Sequence, residues 1–309
     1  MRSSTFCRFL LIVLAAVLVG MAGISAAQQP VSSFTVVLLP DTQFYAESYP
    51  DTYIAQTEWI KSRAQADNVK FVIHLGDLVQ NAEAEREWKV ADRAHRVLDG
   101  VVPYSVLPGN HDRSLVDGVR TPDAPLYDKY FPVSRFSDRP WYGGHEGDRN
   151  ANNYCFFETA GLKFMVLSLE FLPSDGTLEW AGGVLDSHQD RRVILATHFY
   201  MQTGGRDGSS GQRIWNKLVL KHPNIFMVLS GHVSGVAHQT STNDAGNKVH
   251  EILCDYQNLP HGGDGWLQYL RFTPSENMIS VAAFSPLLDA YNDHPEHTYT
   301  LEYDMSAAP

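Results

Sequence analysis

From Phe34 onward the apolar positions fall into short unbroken runs separated by stretches with helical spacing. Phe34–Leu39, β-branched at Thr35, Val36 and Val37, reads as a buried parallel strand. Tyr53, Thr57, Ile60 and Ala64 then recur at helical spacing, Phe71–Leu75 reads as a second strand, Trp88, Ala91, His95 and Leu98 mark a second helical face, and Val101–Leu107 a third strand. Residues 113–150, rich in Pro, Gly and Asp, read as a long irregular excursion of the kind that is usually functional or mobile. Beyond it, Tyr154–Thr159 and Lys163–Leu169 predict a hairpin turned at Ala160-Gly161-Leu162, followed by a helix near Thr177–Asp190 and a strand at Val193–Thr197. A glycine-rich loop, Gly204–Gly211, leads to a helix near Gln212–His222 and a strand at Ile225–Leu229. The tail is antiparallel in character, with runs at Val249–Cys254, Trp266–Phe272 and Met278–Phe284. Parallel units followed by antiparallel ones predict an α/β fold with two facing mixed sheets flanked by helices, in one domain over residues 34–304. No repeat or linker divides it.

The first segment stands apart. Arg2 and Arg8 precede an apolar run and then small residues, the pattern of a secretory signal peptide over residues 1–27. The uncharged stretch is also nearly long enough for a membrane anchor. With cleavage the protein is expected to be secreted or periplasmic and free of stable membrane association. The 309-residue chain is 44% hydrophobic and 19% charged, ordinary for a globular protein with a well-filled core. Loss of two arginines and no acids moves its net charge from −11 to about −13. An acidic surface disfavours nucleic acid and anionic membrane. It leaves phosphate substrates open, because bound divalent metals reverse the field inside a site. Of the cysteines beyond residue 27, Cys155 and Cys254, each sits in a strand-like run, where either a disulfide or a free buried thiol fits.

Polar groups gather where the predicted strands end. The ends read Pro40-Asp41-Thr42-Gln43, Gly76-Asp77-Leu78-Val79-Gln80, Gly109-Asn110-His111-Asp112, Thr197-His198 and Ser230-Gly231-His232. In an open α/β sheet the carboxyl ends of the strands form the ligand crevice. Five strand ends thus deliver Asp, Asp, Asn-His, His and His to one rim. Hard carboxylates mixed with imidazoles suit Mn²⁺, Zn²⁺ or Fe²⁺ better than Ca²⁺. Each piece alone is ordinary turn chemistry. The ordered set, each member after a strand, is not.

This order resembles the calcineurin-like metallophosphoesterases, whose pattern is D-x-H, G-D, G-N-H-[DE], H and G-H-x-H. The resemblance covers roughly Phe34 to Val236 and implies a four-layer αββα sandwich. It further implies Asp77 as the ligand bridging two divalent metal ions, with Asn110, His198 and His232 on one ion and Asp41 and Gln43 on the other. His111 is then placed to protonate the leaving oxygen, with Asp112 orienting its ring. The reaction implied is hydrolysis of a phosphomonoester or phosphodiester substrate by a metal-activated hydroxide. Neither G-x-S-x-G nor H-E-x-x-H occurs, so a serine hydrolase or zinc peptidase has no motif to rest on.

Two positions depart from the pattern. Gln43 replaces the histidine of D-x-H, as in a D-x-Q variant whose glutamine binds metal. Ser234 replaces the last histidine of G-H-x-H, so the Asp41 ion loses two imidazoles against the family pattern. That site is expected to be weak or completed from elsewhere, with His238, His250 or His261 as candidates. An exported binding module of the same fold, holding one metal or none, is the alternative. The purple acid phosphatase branch needs a tyrosine where Gln80 stands. His74 and His95 read as core histidines. Tyr45, Tyr200, Arg113, Arg206 and the segment Asp255-Tyr256-Gln257-Asn258 either line the substrate pocket or serve as ordinary rim, ion-pair and turn residues.

Overall fold

The computed structural model describes residues 33–306; the expected signal segment lies outside them. The first sheet has seven strands, ordered Ala290–Asn292, Met278–Ser285, Leu267–Thr273, Phe34–Leu39, Val69–His74 and Tyr104–Ser105, with Tyr299–Glu302 also paired to Met278–Ser285. The second runs Gly235–Thr242, Lys248–Asp255, Ile225–Ser230, Arg192–Thr197, Leu162–Leu169, Asn153–Thr159 and Tyr142–His145. Its four central strands are mutually parallel. In the first sheet Phe34–Leu39, Val69–His74 and Tyr104–Ser105 are parallel as well.

Strand periodicity explains the unbroken apolar runs. Successive side chains point to opposite faces, so a strand covered on both sides needs no polar positions. Phe34, Val36 and Leu38 enter the core between the sheets with Val166, Ile194 and Phe226, while Val37 and Leu39 meet Tyr53, Ile60 and Trp88 on the outside. Phe34 stacks on Phe272 with ring centroids 4.7 Å apart, within the first sheet, and meets Phe164 of the second sheet edge-on at 5.4 Å. Across the second sheet, Met165, Leu167 and Leu195 face Leu178, Leu185, Ile214 and Trp215. Those outer partners belong to helices Pro50–Arg63 and Glu85–Arg96 on one side and Asp175–Ser187 and Ser210–Lys217 on the other. The order of layers is helix, sheet, sheet, helix. The four-layer sandwich is the expected one.

Several local expectations change. The third strand shrinks to Tyr104–Ser105, since Pro103 and Pro108 flank it and cannot donate to a ladder. The excursion over residues 113–150 holds a short pair, Leu115–Val116 with Val119–Arg120, a helix Pro125–Tyr130 and the edge strand Tyr142–His145. Gly235–Thr242, too polar to stand out as a strand, pairs antiparallel with Lys248–Asp255 along an exposed edge. Cys155 and Cys254 are both buried and free. Three strands stand between theirs in the second sheet, a separation of roughly 19 Å at the usual inter-strand spacing, well beyond disulfide reach. Among the described residues no helix is long and apolar enough to cross a membrane.

Candidate metal centre

Both groups of parallel strands deliver their carboxyl ends to one crevice. After His74 the backbone turns sharply through Gly76 at φ 100° and Asp77 at φ 51°. A non-glycine residue held in the left-handed region costs on the order of 1–3 kcal/mol, a strain that clusters at functional sites. The turn is fixed by contacts: Thr42 N–H donates to the Asp77 carbonyl at 3.1 Å, and Asp77 Oδ1 accepts from His111 N–H at 2.8 Å. Asp77 Oδ2 lies 3.2 Å from His198 Nε2.

His198 decides what this cluster needs. Its Nδ1 lies 2.9 Å from the Leu75 carbonyl, which can only accept, so Nδ1 carries the proton. In the neutral ring Nε2 is then a bare lone pair. It faces Asn110 Oδ1 at 3.0 Å, Asp77 Oδ2 at 3.2 Å and His232 Nδ1 at 3.2 Å. The lone pairs of His198 Nε2 and of the Asn110 and Asp77 oxygens, converging this closely, require a proton or a cation between them. Without a cation, burial resists a charged ring, yet the Asp77 carboxylate wins and raises the His198 pKa. Burial likewise opposes ionisation of Asp77, and His198 overcomes it to hold that carboxylate below its ordinary range. Burial and the neighbouring His198 depress His232 to about 4, which keeps its ring a neutral donor at physiological pH. Asp77, His198 and His232 offer ligand atoms all within 4.8 Å of one another. Phe171 and Phe199 wall the pair of rings, with Phe199 4.5 Å and Phe171 5.2 Å from the His232 centroid.

The other half of the crevice is built of oxygens. Asp41 Oδ2 accepts from His232 N–H at 3.0 Å, whereas its Oδ1 is buried with no partner. A Cβ at Gly231 would overlap that carboxylate, so glycine is required there for the approach. Gln43 opens helix Gln43–Ser48 and donates from Nε2 to Gln257 Oε1, leaving its own Oε1 buried and unpartnered. Burial, then Asp255, then Asp77 raise Asp41 well above the usual carboxylate range. Asp255, at the end of strand Lys248–Asp255, is pushed up to about 7 chiefly by burial. Crowded carboxylates and two orphaned buried oxygens are the environment a divalent cation relieves. The residues therefore fit metal on both sides of Asp77.

His111 follows Asn110 at the rim. Its Nδ1 donates to the Gln80 carbonyl at 2.9 Å, and Arg120 Nη2 lies 3.4 Å from the same nitrogen. That leaves Nε2 as the nitrogen able to meet a ligand. Asp112 does not orient this ring. Its carboxylate accepts from Leu78 N–H at 3.1 Å, Val79 N–H at 3.0 Å and Gly109 N–H at 2.8 Å, tying the Gly76-Asp77 turn to the Gly109-Asn110 turn. Three donors occupy both of its oxygens, and the Gln80 carbonyl does the orienting instead.

Residues 34–234 match the family model for calcineurin-like phosphoesterases. The chain belongs to that family. It is 37% identical over 273 residues to the uncharacterized protein YvnB of Bacillus subtilis (strain 168), covering 86% of this chain and 21% of that protein. The chain thus spans about a fifth of that relative's length. Among solved structures, a purple acid phosphatase from yellow lupin seeds superposes with a TM-score of 0.58 at 14% identity, covering 89% of this chain and 55% of that one. The Plasmodium inner-membrane-complex anchor GAP50 superposes at 0.50 and 13% identity, covering 89% and 90%. At such identity these likenesses show the metallophosphoesterase fold alone.

The remaining candidates take structural places. His74 accepts from Gly76 N–H on Nδ1 at 3.1 Å and meets Thr42 Oγ1 at 2.9 Å through Nε2, while burial, first of all, keeps it neutral. His95 Nδ1 lies 3.0 Å from the Ala91 carbonyl of its own helix, inside an aromatic cluster. Arg113 pairs with Glu170 at 2.7 Å and Arg206 with Glu251 at 2.7 Å, both largely buried rather than at the surface. The Tyr45 hydroxyl accepts from Gly265 N–H, and Tyr200 is fully buried. None of the three histidines proposed to replace the missing imidazole does so. His238 stacks on Tyr299 at 3.8 Å, His250 bonds Thr240 and the Glu302 carbonyl, and His261 pairs with Asp264 at 2.7 Å on the surface. Asp255 and Gln257 are the residues that sequence reasoning undervalued. Their signal was the rule that found the others: a polar group at the carboxyl end of a buried strand.

Proposed function

We propose that this chain is an exported, metal-dependent phosphoesterase that hydrolyses phosphomonoesters or phosphodiesters with two divalent cations, Mn²⁺, Zn²⁺ or Fe²⁺. The observation that carries the reading is the convergence of His198 Nε2 on Asn110 Oδ1, Asp77 Oδ2 and His232 Nδ1, beside the orphaned Asp41 Oδ1 and Gln43 Oε1. Asn110, His198 and His232 would hold one ion, Asp41 and Gln43 the other, and Asp77 both. Such ions polarise phosphoryl oxygens and make a water acidic enough to serve as nucleophile near neutral pH.

The side chains do the rest. His111, with Nδ1–H anchored on the Gln80 carbonyl, donates a proton from Nε2 to the leaving oxygen when its ring is doubly protonated. Asp112 holds the two ligand-bearing turns at a fixed separation, so its role is one of positioning. Export rests on the basic, apolar and small-residue sequence of residues 1–27. The acidic net charge of −11 favours a small or exposed phosphate ester over nucleic acid or membrane.

The test is hydrolysis of bis-p-nitrophenyl phosphate and p-nitrophenyl phosphate by metal-stripped protein, with Mn²⁺, Zn²⁺ or Fe²⁺ restored. Metal-dependent turnover that disappears in Asn110→Ala supports the reading. A folded protein without turnover, holding about one metal or fewer per chain, would replace it with the binding module that Ser234 brings to mind.

A further inference from the structure

The loss of histidine at Ser234 leaves the Asp41 side with a long, flexible glutamine where the family pattern has rigid imidazoles. A glutamine amide can turn either its oxygen or its NH₂ toward a ligand, and only the oxygen binds a cation. Something must therefore set the direction of Gln43. We infer that Gln257, clamped by Asp255, is the positioning residue that turns the Gln43 carbonyl oxygen toward the second cation. This inference rests on the two-metal reading above.

The direction follows from an end that cannot donate. Once ionised, Asp255 only accepts, and both its oxygens are taken by Gln257: Oδ1 by the backbone N–H at 2.8 Å and Oδ2 by side-chain Nε2 at 2.9 Å. Nε2 of Gln257 also reaches the His232 carbonyl at 3.4 Å. Both acceptors demand the NH₂ end, so Oε1 is the end that Gln257 presents to Gln43. That oxygen engages Gln43 Nε2. Gln43 then has one free polar atom, Oε1, which is buried and unpartnered. An anion at one end and a cation at the other polarise both amides in the same sense. The relay joins residues 214 positions apart and ties the first sheet's ligand loop to the second sheet's strand end. Asp255 and Gln257 thereby give an amide the orientation that an imidazole would have by its own rigidity.

The experiment titrates metal-stripped full-length chain with Mn²⁺ by calorimetry, counting bound metal at saturation. In the wild type two events are expected. Gln257→Ala is expected to weaken the weaker event about 10- to 100-fold, the usual cost of losing an outer-shell partner, and to leave the tighter event within about twofold, which also reports an intact fold. Gln43→His removes the need for amide direction, so Gln257→Ala added to Gln43→His is expected to change the weaker event by less than about threefold. Equal weakening of both events, or an undiminished effect of Gln257→Ala in the Gln43→His background, would overturn the positioning role. Two wild-type events unmoved by Gln257→Ala would remove this inference and leave the two-metal reading standing. A single Mn²⁺ in the wild type would remove both.

Discussion

On the side of Asn110, His198 and His232 the ligand atoms already touch, with His198 Nε2 3.0 Å from Asn110 Oδ1 and 3.2 Å from both Asp77 Oδ2 and His232 Nδ1. On the side of Asp41 and Gln43 two buried oxygens have no hydrogen-bond partner. The first side is made of short or rigid groups, walled by Phe171 and Phe199 and fixed by the Leu75 carbonyl behind His198. The second depends on a side chain whose direction is imposed by neighbours. Preorganisation reduces the ordering that a ligand must otherwise bring about. The imidazole side should therefore hold the tighter ion, and the oxygen side the exchangeable one.

The largest break in that comparison is expected at His198, which touches every other ligand on its side. His198→Ala should abolish metal-dependent turnover together with the tighter Mn²⁺ event in calorimetry. Survival of the tighter event would move it to the oxygen side and reverse the ranking. Next comes His111, which touches neither half through a ligand atom and contacts Asp77 only through its backbone N–H. His111→Ala is expected to lower kcat by about 10²- to 10⁴-fold, the range for losing a general acid, with both Mn²⁺ events unchanged. An equal loss of metal would make His111 part of the binding machinery instead.

A smaller effect is expected from Gly231→Ala. Its new methyl group meets the Asp41 carboxylate, and overpacking of this kind typically costs about 1–3 kcal/mol. The weaker Mn²⁺ event should suffer and the tighter one should not. Loss of both would show that the halves move as one body.

The same contrast separates what was legible in the chain from what was not. Asp41, Asp77, Asn110, His198 and His232 could be read because each lies at or just beyond the end of a buried apolar run, and parallel strands bring such ends together. Asp112 was misread because adjacency to His111 says nothing about direction. Its side chain turns back under the loop, toward three backbone N–H groups. Gln257 was weighed only as a pocket or turn residue, since its contact with Gln43 spans 214 positions and leaves no local pattern. The edge strand Gly235–Thr242 escaped notice for another reason. One of its faces meets solvent, so its apolar positions never form a run.

The gentlest test is the pH dependence of stability without metal. Asp112 and Asp255 sit at about 7 in the folded chain, each raised first by burial, against an ordinary carboxyl value of 3.8. A raised carboxyl keeps its proton in the folded chain after the unfolded chain has lost it, so its stabilisation is complete below about pH 4 and lost as pH climbs to about 7. His232, lowered to about 4 by burial and His198, and His95, lowered to about 3 by burial, act in the opposite sense up to the ordinary histidine value of 6.5. The two groups oppose each other below pH 6.5, and above it the raised carboxyls, Asp41 among them, act with His198, whose raised pKa has the same sign. Metal-stripped protein should therefore lose Tm between about pH 6.5 and 7.5, by about 2–4 °C for each kcal/mol of stability. Added Mn²⁺ should reverse the slope, because it binds only deprotonated ligands and stabilises the folded chain more as protons leave. Asp255→Asn should flatten the metal-free slope, since it deletes a titrating group on the oxygen side. A slope unchanged by Asp255→Asn but erased by His198→Ala would place the pH-sensitive charge on the imidazole side. The half that looks complete would then be the one under greater electrostatic strain without its ion.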